Sequence, residues 1–143
     1  MRRSLAILAI VSCAVATAGH SLAASQAEGR LSLELNRMEP SEKGCRVTFV
    51  VHNGLARALS KAAYEVVLFD RKGLVSRLMI LDFQDLPADK TKVRQFDLAS
   101  IDCAGVSRVL VNSAAECKGD GLADGDCMSA LSLSARAEID FGS

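Results

Sequence analysis

The feature that most limits the fold of this chain is an alternation of apolar and polar residues that recurs from residue 31 onward. Leu31, Leu33 and Leu35 alternate with polar residues, and residues 45–51 repeat the pattern before Asn53 and Gly54 end it. Because successive side chains of a β-strand point to opposite faces, this period predicts strands with one buried face. A turn-forming cluster at residues 39–44 separates the first two strands.

Short segments of the same kind continue to the end of the chain. Further strands are predicted at residues 64–69, 74–83, 92–98, 107–112 and 135–141. Residues 55–62 are interpreted as a loop or one helical turn, and Asp126 is expected to cap a short helix over residues 127–131. Turn signals about every ten residues are typical of a β-sandwich. We therefore predict an all-β, Ig-like antiparallel sandwich of about seven strands, with a short helix near residues 126–131.

The first residues carry an export signal. Arg2 and Arg3 precede a short apolar stretch, and no Asp, Glu, Lys or Arg follows them before Glu28. Ser21 and Ala23 stand at the −3 and −1 positions of a signal-peptidase site, which predicts cleavage after Ala23. The chain is thus divided into a signal peptide, residues 1–23, and a single domain, residues 24–143, that is exported to the periplasm.

Two alternatives remain open for the leader. Arg2 and Arg3 have the order of a twin-arginine signal, although two basic residues also open ordinary signal peptides. Ile10-Val11-Ser12-Cys13 is similar to a lipobox, in which Cys13 would become the acylated first residue and anchor the domain to a membrane. Cleavage at Ala23 discards Cys13 instead.

Charge excludes one class of partner. The full chain has 17 basic and 17 acidic residues, and loss of Arg2 and Arg3 leaves 15 − 17 = −2. A slightly acidic domain has no electrostatic footprint for nucleic acid, so none is expected as a partner. No transmembrane segment is expected in the mature chain, because no later stretch is long and apolar enough.

Four cysteines remain after cleavage. An even number in an exported domain predicts two disulfides. Cys117 with Cys127 would close a short polar loop, and Cys45 with Cys103 would tie distant parts of the chain, so this pairing is favoured among the three that four cysteines allow. A zinc site is the competing use, but no pair has the spacing typical of one.

A family resemblance covers roughly residues 45–98. Residues 66–70 and Gly73 resemble the strand and turn of the FxLYD-type Ig-like modules of periplasmic and cell-surface proteins. Further matches in the same order are Asn53, Leu86-Pro87, Lys90-Thr91 and Phe96. The resemblance implies a sandwich but no activity, since such folds have many roles. The cysteines and the tail after residue 100 depart from the family. The whole chain is also similar to exported alphaproteobacterial proteins with a twin-arginine-type signal.

Residues that could carry chemistry are few. His52 is the only histidine after cleavage and lies at a strand end. Asp120, Asp124 and Asp126 fall in a glycine-rich loop, but the spacing fails the EF-hand pattern because positions 3 and 12 are leucines. No catalytic residue, metal site or cofactor is predicted. A small hydrolase or metal-dependent enzyme using His52 or this loop is kept as an alternative.

Leu78, Met79, Ile80 and Leu81 form the apolar run that is hardest to assign. Four consecutive residues of a strand cannot share one face, so either both faces are buried or one meets a partner. The leading hypothesis is a non-enzymatic periplasmic module that contacts another envelope protein or itself through this strand. A carrier with an apolar cavity between the sheets is a further alternative.

Overall fold

The computed structural model describes residues 29–143, so the predicted signal peptide, its predicted cleavage site and Cys13 lie outside the described residues. About two thirds of the described residues are in β-strands. Its strands are β1 (Leu31–Ser41), β2 (Gly44–Asn53), β3 (Leu59–Asp70), β4 (Val75–Leu86), β5 (Lys90–Ala99), β6 (Val106–Lys118), β7 (Leu131–Ala135) and β8 (Asp140–Gly142). A 3-10 turn spans Cys103–Gly105, and helix α1 spans Asp126–Ser129. No helix within residues 29–143 is long and apolar enough to cross a membrane.

The strands form two four-stranded sheets that pack face to face. The first sheet has the order β5-β2-β1-β7 and the second has the order β4-β3-β6-β8. Neighbours pair antiparallel except β1 with β7 and β6 with β8, which are parallel. The predicted all-β sandwich is confirmed, and the two parallel pairs make its sheets mixed rather than wholly antiparallel.

The alternation seen in the sequence places the core between the sheets. Leu31, Leu33 and Leu35 of β1 are almost completely buried, and so is every second residue of β2 from Cys45 to Val51. The second sheet contributes Tyr64, Val66 and Leu68 to the same cluster. Rings from both sheets meet edge to face, with centroids 5.3 Å apart for Phe49 and Phe83. The apolar period of each strand therefore decides which face is buried.

Both favoured disulfides are present. Cys45 of β2 is bonded to Cys103 in the 3-10 turn, and Cys117 of β6 is bonded to Cys127 in α1. The first bond ties the first sheet to the chain that enters the second sheet. The second fixes α1 against the end of β6. Gly44 precedes Cys45 because a Cβ there would lie only 2.4 Å from the Leu98 carbonyl oxygen.

Asn53 is a buried polar residue that ties the end of β2 to two other segments. Its Nδ2 donates to the carbonyl oxygens of Arg57 and Leu86, at 2.9 and 2.8 Å. Its Oδ1 accepts from the Leu55 amide at 3.0 Å. The side chain satisfies backbone groups in the loop between β2 and β3 and at the end of β4 that would otherwise lack these partners.

Several predicted boundaries differ from the structure, and β1 and β6 extend beyond their predicted ends to Ser41 and Lys118. Residues 59–62 belong to β3 rather than to a loop or helical turn, because Leu59 and Ala62 pack into the core. The strand predicted at residues 135–141 is wrong for residues 136–139, where the chain crosses from β7 in the first sheet to β8 in the second. Helix α1 begins at Asp126 and ends at Ser129, and Leu131 already pairs with Leu31 in β7.

Candidate interaction surface

His52 lies on the outer surface of the first sheet. Its Nδ1 is 3.1 Å from the hydroxyl oxygen of Thr91, the residue opposite it in β5, and its Nε2 is 3.9 Å from a carboxylate oxygen of Asp89. The three side chains form a row across paired strands. Four clefts of about 220–580 Å³ are lined by described residues, and His52 lines none of them.

The backbone of the aspartate-rich loop is held by hydrogen bonds to the side chains of Asp126 and Arg57. Asp126 accepts a hydrogen bond from the Ala123 amide at 3.0 Å, and the Arg57 guanidinium donates to the Gly121 carbonyl oxygen. Asp120 and Asp124 are exposed. Across residues 29–143, no three His, Cys, Asp or Glu side chains are grouped so that they could hold a metal ion. The structure therefore does not bring His52 and the loop aspartates together.

The clefts are surface features, and two of them contain charged groups that already have partners. The 580 Å³ cleft contains Arg46 and Asp97, which form an ion pair at 2.9 Å. The 430 Å³ cleft beside Cys103 contains Arg71, whose Nε donates to the Ala104 carbonyl oxygen at 2.6 Å. Between the sheets, interlocking aromatic and leucine side chains occupy the space that an apolar carrier would need.

The apolar run in β4 points to both faces of the second sheet. Met79 packs against the core and Leu81 is only 5 % exposed, whereas Leu78 and Ile80 are 54 % and 64 % exposed. Of the two explanations for this run, burial on both faces does not apply to the described residues. One face of β4 is open and apolar.

The neighbouring strands extend this open face. Val67 of β3 lies between Leu78 of β4 and Leu110 of β6 in the strand register, and it is buried although it is outside the core cluster. Phe69 is opposite Val75, and the Arg108 guanidinium lies 5.5 Å from the Phe69 ring centroid. The members of this surface are on three adjacent strands. We call it the β4 face: Val67, Phe69, Val75, Leu78, Ile80 and Leu110.

Exposure of large apolar side chains is concentrated here. Leu74, Val75, Leu78 and Ile80 are 54–64 % exposed, and all belong to β4 or to the turn before it. Val93 on the outer surface of the first sheet is 56 % exposed and stands apart from them. Single exposed apolar residues are ordinary on any protein, but a contiguous group is typical of a binding surface.

The outer edge of β4 is divided into two halves. Asp82 accepts a hydrogen bond from the Gln84 amide, and Gln84 has a φ of 61°, which bends the strand toward β5. Beyond this bend, Arg94 of β5 donates to the carbonyl oxygens of Phe83 and Asp85 at 2.7 and 3.2 Å. Before the bend, no strand in residues 29–143 pairs with the outer side of Val75–Leu81.

Charged groups border the β4 face. Lys61 lies between Glu116, at 2.9 Å, and Asp82, at 3.6 Å, while Lys118 reaches Glu116 at 2.7 Å. Hydrogen bonds from Lys118 and Lys61 lower the pKa of Glu116 to about 2. At the other end, Arg108 pairs with Asp140 at 3.1 Å. An apolar centre with a polar border is the usual layout of a protein–protein interface.

Comparisons with known proteins found no matching protein-family model, no similar curated protein and no similar solved structure. The resemblance to FxLYD-type modules stays a prediction. The chemistry of the surface therefore carries the functional argument.

Sequence reasoning identified Leu78 and Ile80 but missed Val67, Phe69 and Leu110. A signal was available, because residues 66–69 form an apolar run of the same kind as residues 78–81. Two such runs in paired strands indicate that the sheet is apolar on both faces.

Proposed function

We propose that the mature domain is a non-enzymatic binding module of the periplasm that contacts another envelope protein through the β4 face. The observation that carries this proposal is the concentration of exposed apolar side chains on one side of one sheet. Water is unfavourable beside such a surface, and binding a partner would remove about 25 cal/mol of this cost per Å².

The disulfides and the predicted leader support an exported, periplasmic location for the module. Both cysteine pairs are oxidised, which is typical of proteins that leave the reducing cytosol. The signal peptide predicted from Arg2 to Ala23 supports export to the periplasm, with a lipid anchor at Cys13 as the alternative.

Site-specific photo-crosslinking in cells tests the proposal. A photoreactive residue at Leu110, on the β6 side of the β4 face, should yield a crosslink to a specific envelope protein that mass spectrometry identifies. The same residue at Val93, which is exposed on the opposite sheet, is the matched control and should yield no such product.

A substitution completes the test. Leu110→Glu should reduce recovery of that partner roughly tenfold, because it places a charge on the apolar β4 face, whereas Val93→Glu should leave recovery unchanged. Circular dichroism checks that both variants fold. Equal crosslinking from Leu110 and Val93, or none from either position, would contradict the proposal.

A further inference from the structure

The unpaired edge of Val75–Leu81 is a feature that the proposed function does not use. An edge strand exposes a row of backbone N–H and C=O groups, and proteins usually protect it with charge, proline or a covering segment. The second half of β4 has such protection from Arg94. In the first half, Arg77 is the only charged residue, and there is no proline.

This segment is complementary to itself. In an antiparallel pair, residues that lie directly opposite each other point to the same face of the sheet. A two-fold axis that relates two copies of this strand must therefore pass between one residue and the same residue of the second copy. With the axis at Met79, Leu78 lies opposite Ile80 of the second copy on the outer face, and Met79 lies opposite itself on the core side. Ser76 then faces Asp82.

Moving the two-fold axis by one residue in either direction gives less favourable pairs of opposite residues. An axis at Ile80 would place Leu78 opposite Asp82, and an axis at Leu78 would place Ser76 opposite Ile80. Arg77 lies opposite an apolar residue in all three registers, and this residue is Leu81 when the axis is at Met79. Each shift adds a second polar residue opposite an apolar one, twice because the interface is symmetric. The register centred on Met79 is therefore preferred.

Charge favours the antiparallel arrangement as well. The turn before β4 contains Lys72, and Asp82 lies directly after the segment at its far end. Antiparallel pairing brings the basic end of one copy beside the acidic end of the other at two places. Exposed charges such as these select orientation and register more than they add affinity.

The area available indicates a weak dimer. Burial of one Leu, Ile or Val side chain removes on the order of 100 Å² from water. Only Leu78 and Ile80 meet across the axis, and they are 54 % and 64 % exposed, so two copies could bury roughly 200 Å² from these side chains, to which the backbone edges add. Stable interfaces exceed about 1,000 Å² in total, so this one falls in the weak class.

We propose that Val75–Leu81 pairs antiparallel with the same segment of a second copy, centred on Met79, and joins two second sheets into one continuous sheet. This inference concerns the edge of β4 and goes beyond the proposed function, which concerns its face. Leu110 lies two strands away from the paired edge, so the dimer contact would leave it uncovered, and the β4 faces of the two copies would adjoin in one sheet.

Sedimentation equilibrium of the purified exported protein, without any partner, tests the dimer. The average mass should rise from monomer toward dimer over roughly 1–500 μM, the range expected for a weak contact. Leu78→Lys and Ile80→Glu should each weaken self-association roughly tenfold, since each sets a charge opposite an apolar residue twice. Val93→Lys is the matched control and should change nothing.

Mixing the two variants tests the register. In a mixed dimer, Lys at position 78 of one copy lies opposite Glu at position 80 of the other, while the second contact keeps the native Ile80 and Leu78. Equimolar Leu78→Lys and Ile80→Glu should therefore associate more strongly than either variant alone.

A protein that stays monomeric to 500 μM, roughly the top of the range for weak contacts, would overturn the proposal. A mixture that associates no better than its components would overturn the register. The Leu110→Glu variant should still dimerise, so a failed dimer and a failed partner crosslink can be told apart.

Discussion

Two buried polar side chains, Asn53 and Tyr64, restrict the fold more than the apolar residues around them. Apolar core residues exchange for one another at modest cost, because only volume and shape matter. A buried amide or hydroxyl must also find its hydrogen-bond partners. Asn53 has three such partners, and Tyr64 donates to the Cys127 carbonyl oxygen at 3.2 Å.

Asn53→Ala should lower the free energy of unfolding by about 2–4 kcal/mol, because it leaves buried backbone groups without partners. Urea unfolding followed by circular dichroism measures the effect. Asn112→Ala is the matched control, since Asn112 is exposed and bonds only the Glu65 carboxylate among described residues. The control should stay within about 0.5 kcal/mol of the wild type. Equal losses would contradict the structural role given to Asn53.

Tyr64 should make the protein sensitive to alkaline pH. Burial raises the pKa of its phenol above the usual value of about 10, so the folded state keeps a proton that the unfolded state releases. The unfolded state then binds fewer protons, and the stability contributed by Tyr64 falls as pH rises above about 10, by up to about 1.4 kcal/mol per pH unit.

Because the chain has 1 Tyr and no Trp, tyrosinate absorbance reports this group alone. The absorbance should rise together with loss of the circular dichroism signal, and not before it. Tyr64→Phe should remove this part of the alkaline destabilisation. Ionisation near pH 10 in a fully folded protein would show that the phenol is accessible to solvent.

At the scale of elements, the two disulfides act on loops of different length. Cys45–Cys103 spans 58 residues and links β2 to the turn before β6, while Cys117–Cys127 spans 10 residues and holds α1. A cross-link removes more freedom from the unfolded chain when its loop is longer.

Replacing Cys45 and Cys103 by alanine should therefore cost about 4 kcal/mol, against about 3 kcal/mol for Cys117 and Cys127. Urea unfolding of the two double variants compares them directly. Replacing Cys117 and Cys127 should also loosen α1 while the sheets remain intact. Amide hydrogen exchange would detect this as faster exchange at residues 126–130. If the variant without Cys117–Cys127 lost more free energy of unfolding than the other, native packing at α1 rather than chain entropy would dominate the contribution of that disulfide.

At the scale of the whole molecule, the chain crosses between the sheets at both sides of the sandwich. β4 leads into β5 at one side, and β7 leads into β8 at the other. β8 is short, yet its Phe141 reaches the core, where its ring centroid lies 5.9 Å from that of Phe49. The crossing from β7 to β8 therefore helps to close the sandwich.

Phe141→Ala should lower the free energy of unfolding by about 2 kcal/mol, less than for a completely buried ring because Phe141 is only partly buried. Asp140→Asn in the same strand is the control and should cost less than about 1 kcal/mol, since it affects only an exposed ion pair. Thermal unfolding of both variants gives the comparison. Equal effects would mean that Phe141 does not close the core.

The sequence predicted which segments are strands but not how they pair. Alternation in residues 31–35 and 45–51 shows which side chains are buried, because that depends only on the local period. It holds no information about the parallel pairing of Leu31 with Leu131, which depends on distant parts of the chain. The same limit applies to residues 78–81, since only the sheet order shows that β4 is an edge and that Ile80 is exposed.

The parallel pairing of β1 with β7 has a consequence for how the chain is made. A ribosome releases β1 well before β7, so the edge of the first sheet stays incomplete until residues 131–135 have been made. Cys45 likewise waits for Cys103. Contacts so distant in sequence make the closure of the first sheet slow.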